Sequence, residues 1–192
     1  MAELILASTS PYRRTLLERL SLPFTAVAPG VREDPIAEEL PADRALRLSL
    51  EKAQAVAARY PDAVVIGSDQ VAAQGHQVLD KPGDETRARA QLTAVSGSSA
   101  RFHTGCAVIG PRASVRLVHL DTTTVYFRAL STAEIARYVE RERPCDCAGG
   151  FRAEGLGISL FESIESADPT ALIGLPLIWL AGALRRAGFA VP

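Results

Sequence analysis

The feature that most constrains this chain is a short apolar run, Ala63-Val64-Val65-Ile66, that gives way at once to Gly67-Ser68-Asp69-Gln70. An apolar run this short reads as a strand buried in a parallel sheet. Such strands present functional groups at their carboxyl ends, which puts Asp69 where a ligand is expected. A second strand-like run, Leu4-Ile5-Leu6-Ala7, breaks into Ser8-Thr9-Ser10-Pro11-Tyr12-Arg13-Arg14. Ser10 reads as the N-cap and Pro11 as the first residue of a helix whose apolar face is Leu16, Leu17 and Leu20. Two arginines in a first turn oppose the helix dipole unless something anionic lies between them. With free backbone N–H groups and the hydroxyls of Ser8 and Ser10, the junction is a phosphate site in outline. The same residues also describe an ordinary capped helix with solvated arginines.

Strand and helix signals keep alternating. Phe24 to Val27 reads as a second strand, followed by an acidic loop with Glu33 and Asp34. Pro41 opens a helix with a stripe of Leu46, Leu50, Ala53 and Ala57, and Lys52 sits beside that stripe. Lys81-Pro82-Gly83-Asp84 turns into a helix with Ala88, Leu92 and Val95 on one face and Gly97 as its stop. Strands around Arg101 to Ile109 and Val115 to Arg128, joined by Gly110-Pro111-Arg112-Ala113, suggest an antiparallel hairpin. Ser131-Thr132-Ala133-Glu134 is a capping box ahead of Ile135, Tyr138 and Val139. Glycines then crowd around Arg152 and Glu154, where backbone can approach a ligand closely. Ala171 to Leu184 reads as a buried helix, with Pro176 in its first turn and Gly188 as its end. Together these elements predict a mixed-sheet α/β fold, and no linker divides the chain, so residues 1–192 read as one domain.

Composition excludes several classes. Over 192 residues the formal net charge is −1, so no basic field for nucleic acid is present. Cys106, Cys145 and Cys147 are an odd set that argues for a reducing cytoplasm and against a disulfide framework. Cys145-Asp146-Cys147 has no second cysteine pair to complete a metal site. No positive leader and cleavage site opens the chain, and the apolar C-terminal run is too short to span a membrane. His76, His103 and His119 lack metal-ligand spacing, and Ser68-Asp69 has no histidine partner for a serine hydrolase.

What remains are polar residues at element ends: Ser8, Ser10, Arg13, Arg14, Glu33, Lys52, Asp69 and Lys81, with Glu154 later. Hydroxyls, cations and carboxylates are what metal-assisted attack on a polyphosphate requires. Mg²⁺ prefers oxygen ligands and usually takes one or two carboxylates alongside substrate phosphates. Lys and Arg neutralise the remaining charge, and a carboxylate can orient or deprotonate the attacking water.

The chain resembles the Maf-like nucleoside triphosphate pyrophosphatases, and within them the YceF-type branch associated with 7-methyl-GTP. The residues carrying the resemblance are Leu-Ala-Ser-Thr-Ser-Pro-Tyr-Arg-Arg at 6–14, Glu51-Lys52-Ala53, Ile66-Gly67-Ser68-Asp69-Gln70-Val71, Lys81-Pro82, Cys147-Ala148-Gly149 and Glu154-Gly155-Leu156-Gly157. The resemblance implies an elongated α/β fold with a cleft between two lobes, like that of inosine-triphosphate pyrophosphatases. It also implies cleavage between the α and β phosphates with a divalent cation, Mg²⁺ or Mn²⁺. By the same resemblance Asp69 is the catalytic proton acceptor, and Ser8, Ser10, Arg13, Arg14, Lys52 and Lys81 surround the triphosphate. Glu33 shares the metal with Asp69, and Tyr12, Gln70 and Glu154 select the base. Position 12 is Arg in the dTTP/UTP branch and Trp in the 7-methyl-GTP branch; Tyr12 keeps the aromatic face. The implied role is cleansing of the nucleotide pool. The alternatives are dTTP or UTP as substrate, or a nucleotide-sensing protein affecting septation. A homodimer is an expectation that rests on the resemblance alone.

Overall fold

In the computed structural model, residues 2–111 and 114–192 are described. The element order is β1 (Leu4–Ala7), α1 (Pro11–Glu18), β2 (Thr25–Ala26), α2 (Pro41–Ala57), β3 (Val64–Gln74), β4 (Gln77–Val78), α3 (Glu85–Val95), β5 (Ser99–Ile109), β6 (Arg116–Phe127), α4 (Thr132–Glu142), β7 (Phe161–Glu165) and α5 (Leu177–Arg186). The strands form one twisted mixed sheet in the order β2-β1-β3-β5-β6-β7, with β4 beside β3. The chain divides into two compact units. The first holds residues 1–70, 104–121 and 168–192, and the second 71–103 and 122–167.

In the first unit β1, the first half of β3 and the second half of β5 are buried on both sides, which is why Leu4–Ala7 and Val64–Ile66 read as unbroken apolar runs. Leu4, Leu6, Val64, Ile66, Cys106 and Val108 pack with α1 and α5 through Leu16, Leu17, Leu180 and Leu184. Their neighbours Ile5, Ala7, Val65, Ala107 and Ile109 pack with Ala53 and Val56 of α2. The side-chain period of a strand thus splits each run between two helical layers.

The second unit has its own core. Ala88, Leu92 and Val95 of α3 and Ile135, Tyr138 and Val139 of α4 are buried. Phe151 meets Phe102, Phe127 and Phe161 edge to face, at centroid separations of 5.1, 5.5 and 4.8 Å. The Ser131 capping box forms in full, with Ser131 Oγ accepting from Glu134 N and the Glu134 carboxylate accepting from Ser131 N.

Four expectations are corrected. β2 is only the pair Thr25–Ala26. The buried stripe of α2 is Ala45, Leu48, Ser49, Lys52, Ala53 and Val56, so Lys52 lies within it. β3 does not end at Ile66 but runs on to Gln74; what ends there is its pairing with β1, whose last register partner is Ala7 opposite Gly67. The C-terminal helix begins only at Leu177, because Ala171–Ile173 forms a separate short turn and Pro176 stands before the helix. Of the turn between β5 and β6, Arg112 and Ala113 lie outside the described residues.

Candidate active site

The site begins with how closely α2 can approach the sheet. A Cβ at Gly67 would lie 2.2 Å from the Ser49 carbonyl oxygen, and one at Gly105 would lie 2.2 Å from that of Ala45. Only glycine admits the helix backbone there, and the close seat brings Lys52 down onto β3. Gly67 and Asp69 share a strand face, so Asp69 points at the same helix. Lys52 Nζ donates to Asp69 Oδ1 at 2.5 Å, with side-chain exposures of 7% and 9%. Glu33 closes the group from outside, its Oε1 2.6 Å from the same nitrogen and its side chain 54% exposed.

The loop carrying Glu33 is tied to α2 by arginines. Arg44 Nη2 donates to the Glu33 carbonyl, and Arg47 Nη2 donates to that of Asp34. Arg47 also makes a two-pronged pair with Glu39, at 2.6 and 2.7 Å. These charge-assisted bonds hold the Arg47 guanidinium above its usual pKa, and the same pairing holds the Glu39 carboxyl below its own.

At the start of α1, Ser8 is buried and its Oγ accepts from Ser10 N at 3.1 Å. Ser10 Oγ accepts from Arg13 N at 3.5 Å, the N-cap bond. Both hydroxyls act here as acceptors, and each keeps a proton with which to bind an anion. Arg13 is half-buried and donates Nε to the Gly174 carbonyl at 3.1 Å. Arg14, one residue on, is 65% exposed and reaches Glu18 at 3.4 Å. Tyr12 is half-buried in the same first turn.

Gln70 points to the opposite face of β3 from Asp69. Its Nε2 donates toward Thr104 Oγ1, the Ala171 carbonyl and the Leu172 carbonyl, all within 3.0 Å. Ser68 shares that face, and its hydroxyl lies 2.8 Å from both the Gly105 and Gly174 carbonyls. Among the described residues, Ser8, Ser10, Tyr12, Arg13, Arg14, Glu33, Lys52, Asp69 and Gln70 all belong to the first unit.

Lys81 and Glu154 belong to the second unit, and both are exposed on it. Lys81 precedes α3, whose N-cap is Asp84. Glu154 rides on a loop that α4 holds. Tyr138 Oη accepts from Arg152 N at 2.9 Å, and the Glu142 carboxylate accepts from Arg152 Nη1 at 3.0 Å and from Leu156 N at 2.7 Å.

The sequence profile of the family described as Maf-like protein matches residues 3–187. The chain belongs to the Maf-like family. It is 57% identical over 193 residues to a protein of Xanthomonas axonopodis pv. citri named 7-methyl-GTP pyrophosphatase, covering 100% of both chains. It is 51% identical over 191 residues to one of the same name from Aromatoleum aromaticum, covering 100% of this chain and 98% of that one. Among solved structures, a HAM1 protein from Coxiella burnetii aligns with 66% of this chain and 73% of its own, at a TM-score of 0.45 and 15% identity. No helix among the described residues of the Maf-like chain is long and apolar enough to cross a membrane.

Sequence reasoning passed over three residues that hold these segments of the Maf-like chain, Ser68 and Gly174 in the first unit and Glu142 in the second. Ser68 lay inside a quoted motif, and the alternation of a continuing strand was the signal that separated its face from that of Asp69. Glu142 sits one turn beyond Tyr138 on the face of α4 that meets the loop, a helical spacing that could have flagged it. Gly174 carried no signal at all, because its role rests on a contact with Arg13, far away in sequence.

Proposed function

We propose that this Maf-like chain hydrolyses 7-methyl-GTP at the α–β anhydride, giving 7-methyl-GMP and pyrophosphate. The observation that carries the chemistry is the buried Lys52 ammonium with the Asp69 and Glu33 carboxylates on one nitrogen. The choice of substrate rests on the names of relatives that are 51% and 57% identical across the whole chain.

The donor set fits a divalent cation. Glu33 and Asp69 bring two carboxylates together on the Lys52 ammonium, so the pair stands close enough to offer the one or two oxygen ligands that Mg²⁺ usually takes from protein beside substrate phosphates. Among the described residues no larger cluster of His, Cys, Asp or Glu forms a cage of its own. A bound Mg²⁺ or Mn²⁺ would supply charge neutralisation on the triphosphate. Lys52 fixes Asp69 through Oδ1, and Oδ2 remains to take the proton of the attacking water. Arg13, Arg14 and Lys81, with the hydroxyls of Ser8 and Ser10, bind the phosphates. The cationic 7-methylguanine is recognised by the ring of Tyr12, and Glu154 accepts from its N1–H and exocyclic amine. Gln70 supports base selection by holding the 171–172 segment.

A net charge of −1 supports a free nucleotide, not a nucleic acid, as partner. A family profile running through both compact units supports one functional domain over residues 1–192. A cytoplasmic enzyme working as a homodimer in nucleotide-pool cleansing completes the proposal. Pyrophosphate release from 7-methyl-GTP, GTP, UTP and dTTP with Mg²⁺ tests it, and 7-methyl-GTP is expected to give the highest kcat/KM. A preference for UTP or dTTP would overturn the substrate, and no release from any nucleotide would overturn the enzyme.

A further inference from the structure

We infer that Gly174 is a positioning residue that aims Arg13 at the triphosphate, an inference resting on the pyrophosphatase reading. Arg13 stands in the first turn of α1, where its charge opposes the helix dipole, so nothing in the helix itself keeps the guanidinium there. What holds it is the Gly174 carbonyl, which accepts from Arg13 Nε at 3.1 Å. Fixing Nε fixes the plane of the guanidinium and leaves both Nη groups, without a protein partner among the described residues, as a forked edge for phosphate oxygens. Arg14 shows the contrast. Among the described residues it has no carbonyl anchor, and it lies along its own helix against Glu18, 65% exposed.

Gly174 suits the task in two ways. Its φ of +124° is one that L side chains rarely adopt. A Cβ there would also stand 3.2 Å from Arg13 Nε and 3.3 Å from its Cγ, closer than ordinary contact allows. The carbonyl is itself well held. Gln70 Nε2 fastens the Ala171 and Leu172 carbonyls, Thr104 Oγ1 donates to that of Ala171, and Ser68 Oγ lies 2.8 Å from the Gly174 oxygen. Asp168 secures the segment's start, accepting from Thr170 N, Thr170 Oγ1 and Ile178 N. An anchor fixed at both ends can orient a long side chain without moving with it.

Binding of inorganic tripolyphosphate, measured by calorimetry with Mg²⁺ present, tests the inference apart from hydrolysis. Gly174→Ala and Arg13→Ala are each expected to weaken binding about 10-fold, the scale of one charge-assisted hydrogen bond, and the double variant no more than about 20-fold. A double variant near 100-fold would mean that the two act independently, and would overturn the inference. Where Gly174→Ala does not fold, Arg13→Lys carries the test. Lysine keeps the charge but has no Nε to fasten, so it should recover less than about 3-fold of the Arg13→Ala loss; full recovery would overturn the inference. Wild type that fails to bind tripolyphosphate overturns it as well. Wild type that binds tripolyphosphate but releases no pyrophosphate from 7-methyl-GTP overturns the proposed function and leaves the positioning of Arg13 intact.

Discussion

The two units each use a helix to place a carboxylate, and they do so in opposite ways. In the first unit α2 presses onto Gly67 and buries Lys52 with Asp69, each side chain under a tenth exposed. In the second, α4 spends Tyr138 and Glu142 on holding a loop, and the residue that loop presents, Glu154, stays in solvent. Buried charges are mutually dependent: removing one leaves the other desolvated and alone. Solvated charges are independent until a ligand dehydrates them. Substitutions that leave a buried charge of the first unit without a partner should therefore strike stability and turnover together, and those around Glu154 should alter selectivity alone.

The largest effect should come from Lys52→Met, which strands Asp69 beside an apolar stem. About 3 kcal/mol of stability should be lost, a fall of roughly 10 °C in Tm for a chain of this size, along with most of the activity. An unchanged Tm would break the contrast between the units at its root. Asp69→Asn is near-isosteric and keeps an acceptor for Lys52, so the fold should stand while turnover drops at least ~100-fold. Steady-state kinetics beside a thermal melt separates those two readouts.

For Glu154→Gln, the expectation is a Tm within about 1 °C of wild type and a loss of roughly 10-fold in the preference for GTP over UTP, because an amide offers one accepting oxygen where the carboxylate offered two. Tyr12→Ala should lower the preference for 7-methyl-GTP over GTP by about 3- to 10-fold, the scale of a cation–π contact. Both ratios come from one kcat/KM panel. A fall in Tm with Glu154→Gln would mean that the second unit, too, relies on its site charge for stability.

The smallest expected effect sharpens the picture of the first unit. Asp121 is 5% exposed, and its Oδ1 has no hydrogen-bond partner among the described residues. Burial first, then the Asp168 charge, hold its carboxyl above the ordinary carboxylate value, with His119 opposing them. The folded chain therefore binds this proton more tightly than the unfolded chain does. That contribution is present below the ordinary carboxylate pKa and is lost as pH rises through the raised value. Asp121→Asn should remove the dependence, so its Tm relative to wild type should improve with rising pH. Melts of both proteins from acid to mildly basic pH decide it.

The start of α1 was legible in sequence because an N-cap is a local event: Ser10, Pro11 and the N–H groups that follow lie within one turn. The Ser131 capping box and the buried faces of α3 and α4 were legible for the same reason, since helical periodicity fixes which residues share a side. Lys52 was misplaced beside the stripe of α2 because a lysine reads as polar by itself; its burial depends on Asp69 and on the two glycines that let the helix descend. The continuation of β3 was hidden because Gly67-Ser68-Asp69-Gln70 breaks the apolar run that had announced the strand.

The sequence by itself determined the mixed α/β class, the Ser10 and Ser131 caps, the helical faces of the second unit and the set of polar residues from which a polyphosphate site could be built. These follow from backbone hydrogen bonding and side-chain periodicity, which act over a few residues. Only the tertiary structure decided that Lys52 joins Glu33 and Asp69 on one nitrogen, that Asp69 and Gln70 face opposite sides of one strand, and that Gly174 holds Arg13. Those pairings join segments far apart in the chain. They are fixed by how closely two backbones can approach and by which buried charge finds a partner, neither of which is written in any local stretch.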